Sequence, residues 1–159
     1  MPQPRAGVRR DHRPLDRRSR TVTYTLARYP ESLAVVQLGP GADIPAWAES
    51  SSIFSVTATA TETSVVCAAR DVPKKARHHK PYTAFAVLPE DGSADFDLSS
   101  GVTGVLVSLL APLAEAGVSV FALSTFDTDW ILVPKNDADR AEDAWRRSGH
   151  DVTPAVPAD

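Results

Sequence analysis

Hydrophobic residues in the second half of the chain form two short runs that are separated by a polar insert. The runs are Val118–Leu123 and Trp130–Val133, and the insert is Ser124–Asp129. Runs of this length that are rich in β-branched and aromatic residues are typical of strands buried on at least one face. Because the insert is short, we expect the two strands to be antiparallel neighbours.

A helical pattern precedes this pair of strands. Within Gly101–Ala116 the apolar residues recur at the spacing of a helix that buries one face, and Gly117 is suited to end it. Pro112 inside this segment predicts a kink or a restarted helix, because proline lacks the amide proton and clashes with the preceding turn. A second and more polar helix is expected at Asn136–Ser148, ending at Gly149.

The remaining chain alternates between short apolar runs and polar connections. Asp43–Ala48 predicts a single capped helical turn, and Arg70–Lys80 predicts a polar, basic loop. Strands and helices in this order indicate an α+β protein. The further expected strands are Thr21–Leu26, Leu33–Leu38, Ile53–Thr59, Thr63–Ala68, Tyr82–Leu88 and a short one at Asp151–Val156.

The chain contains an internal repeat. With an offset of 67 residues, Pro45 aligns with Pro112, and Ile53–Val66 aligns with Val120–Val133 without a gap. Two copies of a β-α-β-β unit predict two ferredoxin-like halves in tandem, with antiparallel sheets and helices on one face. We place the halves at residues 21–80 and 81–156, and the first copy has lost most of its helix. Chance matching of apolar strands is the alternative.

Charge is distributed unevenly along the chain. The formal net charge is −3, yet residues 1–20 contain seven Arg and two Asp, so the remaining residues sum to −8. The first 20 residues have little apolar surface to bury, and we expect a solvated tail that does not fold alone. Nonspecific contact with anionic partners is the alternative role for it. The acidic body argues against sequence-specific nucleic-acid recognition.

Several function classes are disfavoured by the residues themselves. No apolar run approaches the roughly 18 residues of a membrane-spanning helix, and the tail lacks the apolar segment of a secretory signal. Cys67 is the one cysteine, so we expect a buried thiol and no disulfide framework. A soluble cytoplasmic protein fits these observations.

Catalytic, metal and cofactor sites have weak signals. His78 and His79 are adjacent, so on a strand they would point to opposite faces, and no acid or cysteine lies at ligand spacing. Cys67 has no histidine partner by pattern. The glycines match no nucleotide-binding motif. We therefore expect no metal and no cofactor, and an enzyme is the least favoured class.

Several segments of the chain, in their order and spacing, resemble the small ACT-domain proteins of the CASTOR/POLLUX type. The resemblance covers roughly residues 24–152 and implies tandem ACT-like halves and regulatory binding of a free amino acid or similar metabolite, without catalysis. Animal relatives sense arginine and relay its level to a growth-control complex. The segments that carry the resemblance are Pro45–Trp47, Phe54–Thr57, Ser64–Cys67, Gly101–Leu106, Pro112–Gly117 and Ser124–Asp129.

The entry of the first long helix is suited to an anionic group. Ser99 or Ser100 can cap this helix, and its free N–H groups would suit the carboxylate of an amino acid. The resemblance implies that the ligand is contacted at the helix entry and at the polar insert, by Gly101, Val102, Thr103, Ser124, Thr125, Phe126 and Asp129.

One departure from the arginine sensors bears on the ligand. Those sensors have a glutamate two residues before the helix glycine to meet the guanidinium, and this chain has Ser99 there. An ionised partner for a guanidinium is missing at that position, which argues against arginine as the ligand. Asp127 is the residue that could compensate.

Two alternatives remain open at this point. The insert could be an ordinary turn, because Asp and Thr side chains bond locally to the backbone. The protein could also be a structural or protein-interaction module with a degenerate ligand site, since ferredoxin-like sheets can pair edge to edge into a homodimer.

Overall fold

A computed structural model describes residues 22–49, 51–88 and 104–155. Within these ranges lie two α-helices, α1 at Val105–Glu115 and α2 at Ala138–Arg147, and short 3-10 turns at Ala46–Ala48, Ala69–Asp71 and Lys135–Asp137. The strands are β1 Thr25–Leu38, β2 Ser55–Ala58, β3 Thr63–Ala68, β4 Arg77–Leu88, β5 Phe121–Ser124, β6 Asp129–Pro134 and β7 Asp151–Pro154.

The strands form one sheet in the order β2-β3-β1-β4-β6-β5, with β7 also beside β1. One side of β1 pairs antiparallel with β4. On the other side, Thr25–Arg28 pairs in parallel with β7, and Leu33–Leu38 pairs antiparallel with β3. The centre of the sheet is therefore β1 and β4, and the β2–β3 and β5–β6 hairpins lie at its two edges.

Prolines interrupt the regular pairing of both central strands. Proline has no amide proton to donate, so within a sheet it is confined to edges and bulges. Pro30 lies in the register shift between Arg28 and Ser32 of β1, and Pro81 of β4 lies in a second shift. Each strand continues beyond its irregularity.

The predicted breaks at these positions are wrong. We expected separate strands at Thr21–Leu26 and Leu33–Leu38, and a loop over Arg70–Lys80, whereas β1 is continuous from Thr25 and β4 begins at Arg77. Pairing on both sides of β1 outweighs the local preference of its polar, proline-containing middle. β4 crosses the boundary expected between residues 80 and 81, and the division into two halves stays a prediction.

The two hairpins are structural copies of each other at an offset of 66 residues. Ser55 pairs with Val66 in the first hairpin, and Phe121 pairs with Leu132 in the second. The 3-10 turns that follow β3 and β6 keep the same offset. The predicted offset of 67 is therefore wrong by one residue, because it aligned apolar letters rather than strand faces, and a slip of one residue exchanges the two faces.

Both α-helices pack on one face of the sheet, which confirms the predicted α+β, ferredoxin-like class. The Trp145 ring of α2 lies edge-on to Phe85 of β4, with 4.8 Å between centroids, and its Nε1–H donates to the Leu109 carbonyl of α1 at 2.8 Å. Gly117 has a φ of 67° and ends α1 as predicted. Pro112 lies inside a single helix rather than at the start of a new one.

The first copy carries much less helix than the second. Between β1 and β2 the only helix in the described residues is the 3-10 turn Ala46–Ala48. At the corresponding place in the second copy, between β4 and β5, the chain forms α1. The expected loss of most of the first helix stays a prediction, and it fits this part of the chain.

Residues 51–53 lie over the opposite face of the sheet, and Glu31 of β1 holds them there. The Glu31 carboxylate accepts hydrogen bonds from the Ser52 N–H at 2.8 Å, from the Ser51 hydroxyl at 3.1 Å and from the Ser52 hydroxyl, and it pairs with Arg70. Ile53 then packs in a cluster with Leu33, Val66, Ala84 and Leu132. Burial alone would raise the pKa of Glu31, but these bonds outweigh it and lower the pKa to about 2.

Replacing this carboxylate tests its role in stability. We expect Glu31→Gln to lower the free energy of unfolding at pH 7 by about 1.5 to 3 kcal/mol, the range for hydrogen bonds to charged groups. The folded-state pKa is below the ordinary value of 4.5. The contribution is therefore complete above pH 4.5 and is lost as the pH falls toward 2. Urea denaturation of both proteins across this range measures it.

Glu115→Gln is the matched control, since Glu115 is an exposed carboxylate at the end of α1. It should leave stability nearly unchanged at every pH. An equal loss for the two variants, or a Glu31→Gln effect that does not shrink between pH 4.5 and 2, would contradict this role.

Candidate functional site

The polar insert forms the tight connection of the β5–β6 hairpin. The Thr125 N–H and hydroxyl donate to the Thr128 carbonyl at 2.8 and 3.2 Å, and the Thr128 N–H donates to the Thr125 hydroxyl at 3.1 Å. At its base, Ser124 pairs with Asp129, and the Ser124 hydroxyl donates to Asp129 Oδ1 at 2.5 Å. Phe126 is 89% exposed at the tip, beside the exposed Asp127.

The β2–β3 hairpin has the same set of turn bonds. The Thr59 N–H and hydroxyl donate to the Glu62 carbonyl at 2.8 and 3.1 Å, and the Glu62 N–H donates to the Thr59 hydroxyl at 3.1 Å. This shared pattern accounts for Thr125 as a turn-forming residue, as the ordinary-turn interpretation expects.

The bases of the two hairpins differ in chemistry. At the offset of 66, Ser124 and Asp129 correspond to Ala58 and Thr63, which are paired in the same way. Thr63 is buried, whereas Asp129 is half-buried. Among the described residues, the Asp129 carboxylate accepts one side-chain hydrogen bond, on Oδ1. The second copy therefore offers a carboxylate oxygen where the first offers a buried hydroxyl.

Asp129 lies on the helix-bearing face of the sheet. Side chains alternate along a strand, and Ile131 and Val133 of β6 pack in the same cluster as Val105 of α1. Both β4 and β5 are antiparallel to β6, so they are parallel to each other, and the helix that joins them runs in the opposite direction. The first turn of α1 is therefore at the sheet end where Ser124 and Asp129 lie.

The structure describes only part of the predicted site. Ser124, Thr125, Phe126, Asp127 and Asp129 are together on one hairpin. The residues expected at the helix entry lie outside the described residues, namely Ser99, Gly101, Val102 and Thr103. The first described residue before α1 is Gly104, which has a φ of 95°.

A cleft that sequence reasoning missed lies near the irregularity in β1. It has a volume of about 430 Å³ and is lined by residues of β1, β4, α2 and β7. Arg28 Nη1 contacts Glu142 Oε1 at 2.6 Å and Asp139 Oδ1 at 3.0 Å. Burial alone would lower the pKa of Arg28, but these two carboxylates outweigh it and raise the pKa. Arg28 and Glu142 are far apart in sequence, so no local pattern could have joined them.

The metal and membrane predictions can also be compared with the described residues. The ranges 22–49, 51–88 and 104–155 contain no group of three His, Cys, Asp or Glu side chains that could hold a metal ion. The His78 ring nitrogen Nδ1 lies 2.6 Å from the Ala76 carbonyl oxygen. Among the helices within these ranges, none is long and apolar enough to cross a membrane.

Cys67 is a buried core residue, as predicted. It is free and fully buried in a cluster with Val36, Val65 and Ala48. Burial raises the pKa of its thiol to about 11, and the nearby charges of Asp71 and Glu31 contribute in the same direction. A nucleophilic role is disfavoured because the reactive form is the thiolate.

Comparison with known proteins shows that the part of the chain around the second hairpin is similar to a described domain. A family model of the ACT domain matches residues 91–147, and a model of an N-terminal domain matches residues 31–75. The human protein CASTOR3P is 43% identical over 56 residues, which cover 35% of this chain and 34% of that protein. The cytosolic arginine sensor for mTORC1 subunit 1 from Bos taurus is 40% identical over 65 residues, which cover 36% of this chain and 20% of that protein. The matched part thus spans about a third or less of these curated relatives.

The fold is also found in a solved structure. The crystal structure of a protein from Agobacterium tumefaciens is similar with a TM-score of 0.75 and 28% sequence identity. The similarity covers 86% of this chain and 96% of that chain. The arrangement described above is therefore shared over nearly the whole length of another protein.

Thiol labelling tests the environment of Cys67. At pH 8 we expect a disulfide reagent to label the native protein at least about 100-fold more slowly than the urea-unfolded protein, because a raised pKa removes the thiolate. The single thiol makes absorbance of the released group a direct measure. Labelling of the native protein at the unfolded rate would contradict a buried, protonated thiol.

Proposed function

Since this chain is an ACT-domain protein with similarity to the CASTOR arginine sensors, we propose that it is a non-enzymatic regulatory protein that binds a free amino acid. The ligand lies between the base of the β5–β6 hairpin and the entry of α1. The relatives named as cytosolic arginine sensors support a regulatory role and a cytoplasmic location. Because the matched part is a small share of those proteins, we do not assign their ligand or their partner to this chain.

The difference between the two hairpins is the observation that carries this proposal. The turn bonds are the same in both, and Ser124 with Asp129 replaces Ala58 with Thr63. If the hairpin needed a carboxylate at this position in order to fold, both copies would have one, but the first copy has Thr63 there. The hydrogen bond from Ser124 fixes Asp129 Oδ1, and no described residue donates a side-chain hydrogen bond to Oδ2, which can therefore accept from a charged donor. An ammonium group is such a donor.

The ammonium and carboxylate groups of an amino acid match the hairpin base and the helix entry, respectively. The ammonium group pairs with Asp129, and the carboxylate meets the N–H groups at the helix entry, around Gly101, Val102 and Thr103. Ser99 stands where the arginine sensors have a glutamate, so an amino acid with an uncharged side chain fits better than arginine. Phe126 and Asp127 then border the ligand side chain.

A protein-interaction module is the second candidate. Phe126 is 89% exposed at the tip of the hairpin, which is unusual for so large an apolar side chain. A protein partner or a second copy of the chain would cover it. The two functions are compatible if ligand binding changes the hairpin that the partner contacts.

A thermal-shift screen against the common amino acids at millimolar concentrations tests the proposal. A ligand at about 100 times its dissociation constant should stabilise the native state by roughly 2.7 kcal/mol, which is a rise of several degrees in Tm. We expect a selective rise for one or a few amino acids. Asp129→Asn should abolish it, because the variant keeps the size of the side chain and loses the charge.

Asp143→Asn is the matched control, since it makes the same chemical change on the exposed side of α2. It should keep the full rise in Tm. No rise with any amino acid for well-folded protein would reject amino-acid binding and favour the interaction module. A rise that Asp129→Asn retains would reject this position of the site.

A further inference from the structure

The cleft beside β1 carries a chemistry that the amino-acid site does not use. It is about 430 Å³ in volume, which is within the usual range for small-molecule sites. It lies at the far end of β6 from Asp129, about 17 to 20 Å away at the rise of a strand. Its lining includes three cationic side chains, Arg28, Lys135 and Arg146, and one carboxylate, Glu142.

Glu142 holds both guanidinium groups in place. Its Oε1 accepts from Arg28 Nη1 at 2.6 Å, and its Oε2 accepts from Arg146 Nη2 at 2.7 Å. The Glu142 side chain is only 11% exposed. Each guanidinium has five N–H donors, so most of them remain available beyond these bonds. Arg28 also pairs with Asp139 at 3.0 Å, and Arg146 with Asp143 at 3.9 Å, but both of these carboxylates are exposed and lie outside the lining of the cleft, so water screens them. Glu142 therefore orients the two arginines, which keep further N–H donors.

The lining also includes Lys135 and the hydroxyl groups of Ser32 and Thr83. The Lys135 ammonium donates to the Ser32 hydroxyl at 3.0 Å, which fixes the lysine at the rim. Thr83 is 5% exposed and also lines the cleft, and its hydroxyl makes no side-chain hydrogen bond to another described residue. A hydroxyl that lines a cleft is suited to donate to a bound group.

The side chains that line the cleft have a net positive charge, whereas the chain outside its first 20 residues is acidic. Residues 21–159 carry a net charge of −8. The cleft concentrates three cations against one lining carboxylate. Fixed guanidinium groups match the geometry of carboxylate and phosphate oxygens.

We propose that this cleft is a second ligand site, which binds a small metabolite through a phosphate or carboxylate group. Arg28 of β1 and Arg146 of α2 hold the oxyanion, Lys135 lies at the rim, and Thr83 of β4 donates to the bound group. The alternative is an ion network that only joins α2 to β1, and this network would bind nothing.

Titration calorimetry on the full chain tests the site with two probes, inorganic phosphate and succinate, at constant ionic strength set with NaCl. We expect saturable binding of at least one probe. Lys135→Gln and Arg146→Gln should each weaken it by about tenfold or more, the change that loss of one charge-assisted bond of about 1.4 kcal/mol produces. Circular dichroism melting checks that each variant is folded.

Two matched variants remove the same charges elsewhere. Lys75→Gln and Arg140→Gln lie outside the cleft and should change the affinity less than about twofold, because additivity holds for distant sites. Binding of phosphate alone would assign the site to phosphate esters, binding of succinate alone to carboxylates, and binding of both to the shared oxyanion.

Absence of saturable binding of either probe by folded protein would overturn the proposal and leave an ion network only. Equal binding by Lys135→Gln, Arg146→Gln and the wild type would overturn it too. Asp129→Asn should bind the probe like the wild type, so the outcome is independent of the amino-acid site.

Discussion

The antiparallel pairing of β1 with β4 is the contact on which the rest of the sheet depends. The strands β3 and β7 join the sheet through β1, and β6 with β5 joins it through β4. The two hairpin copies are therefore fixed at opposite edges of a single sheet. The helices fill one face of it, with Trp145 bonded to Leu109 and packed on Phe85. Loss of the central pairing would separate the copies and expose the apolar clusters that pack on the sheet.

The apolar spacing correctly predicted those elements whose formation depends on residues close together in the sequence. The two hairpins, α1 with its glycine terminator and α2 follow from apolar spacing and from Gly117. The continuity of β1 through Pro30 could not be predicted, because it depends on neighbours on both sides of the strand. The offset of 66 depends on strand register, which apolar letters alone do not specify. The cleft joins Arg28 to Glu142, and only the tertiary fold brings that pair together.

The candidate site was predictable only through resemblance. A Ser-Thr-Phe-Asp-Thr-Asp insert has the composition of an ordinary turn, and the hydrogen bonds of Thr125 are those of such a turn. Comparison of the copies separates what the turn requires from what it does not. Thr59 and Thr125 make the same turn hydrogen bonds, whereas the first hairpin has Thr63 and no carboxylate at the position of Asp129. The repeat thus supplies an internal control for function.

We propose that one hairpin copy binds a ligand and that the other is structural. Amide NMR spectra of isotope-labelled protein, recorded with and without a mixture of the common amino acids at millimolar concentration, test it directly. We predict shifts for Ser124–Asp129 and the first turn of α1, and none for Thr59–Thr63. Equal shifts in both hairpins, or shifts confined to residues outside the second hairpin, would contradict the account.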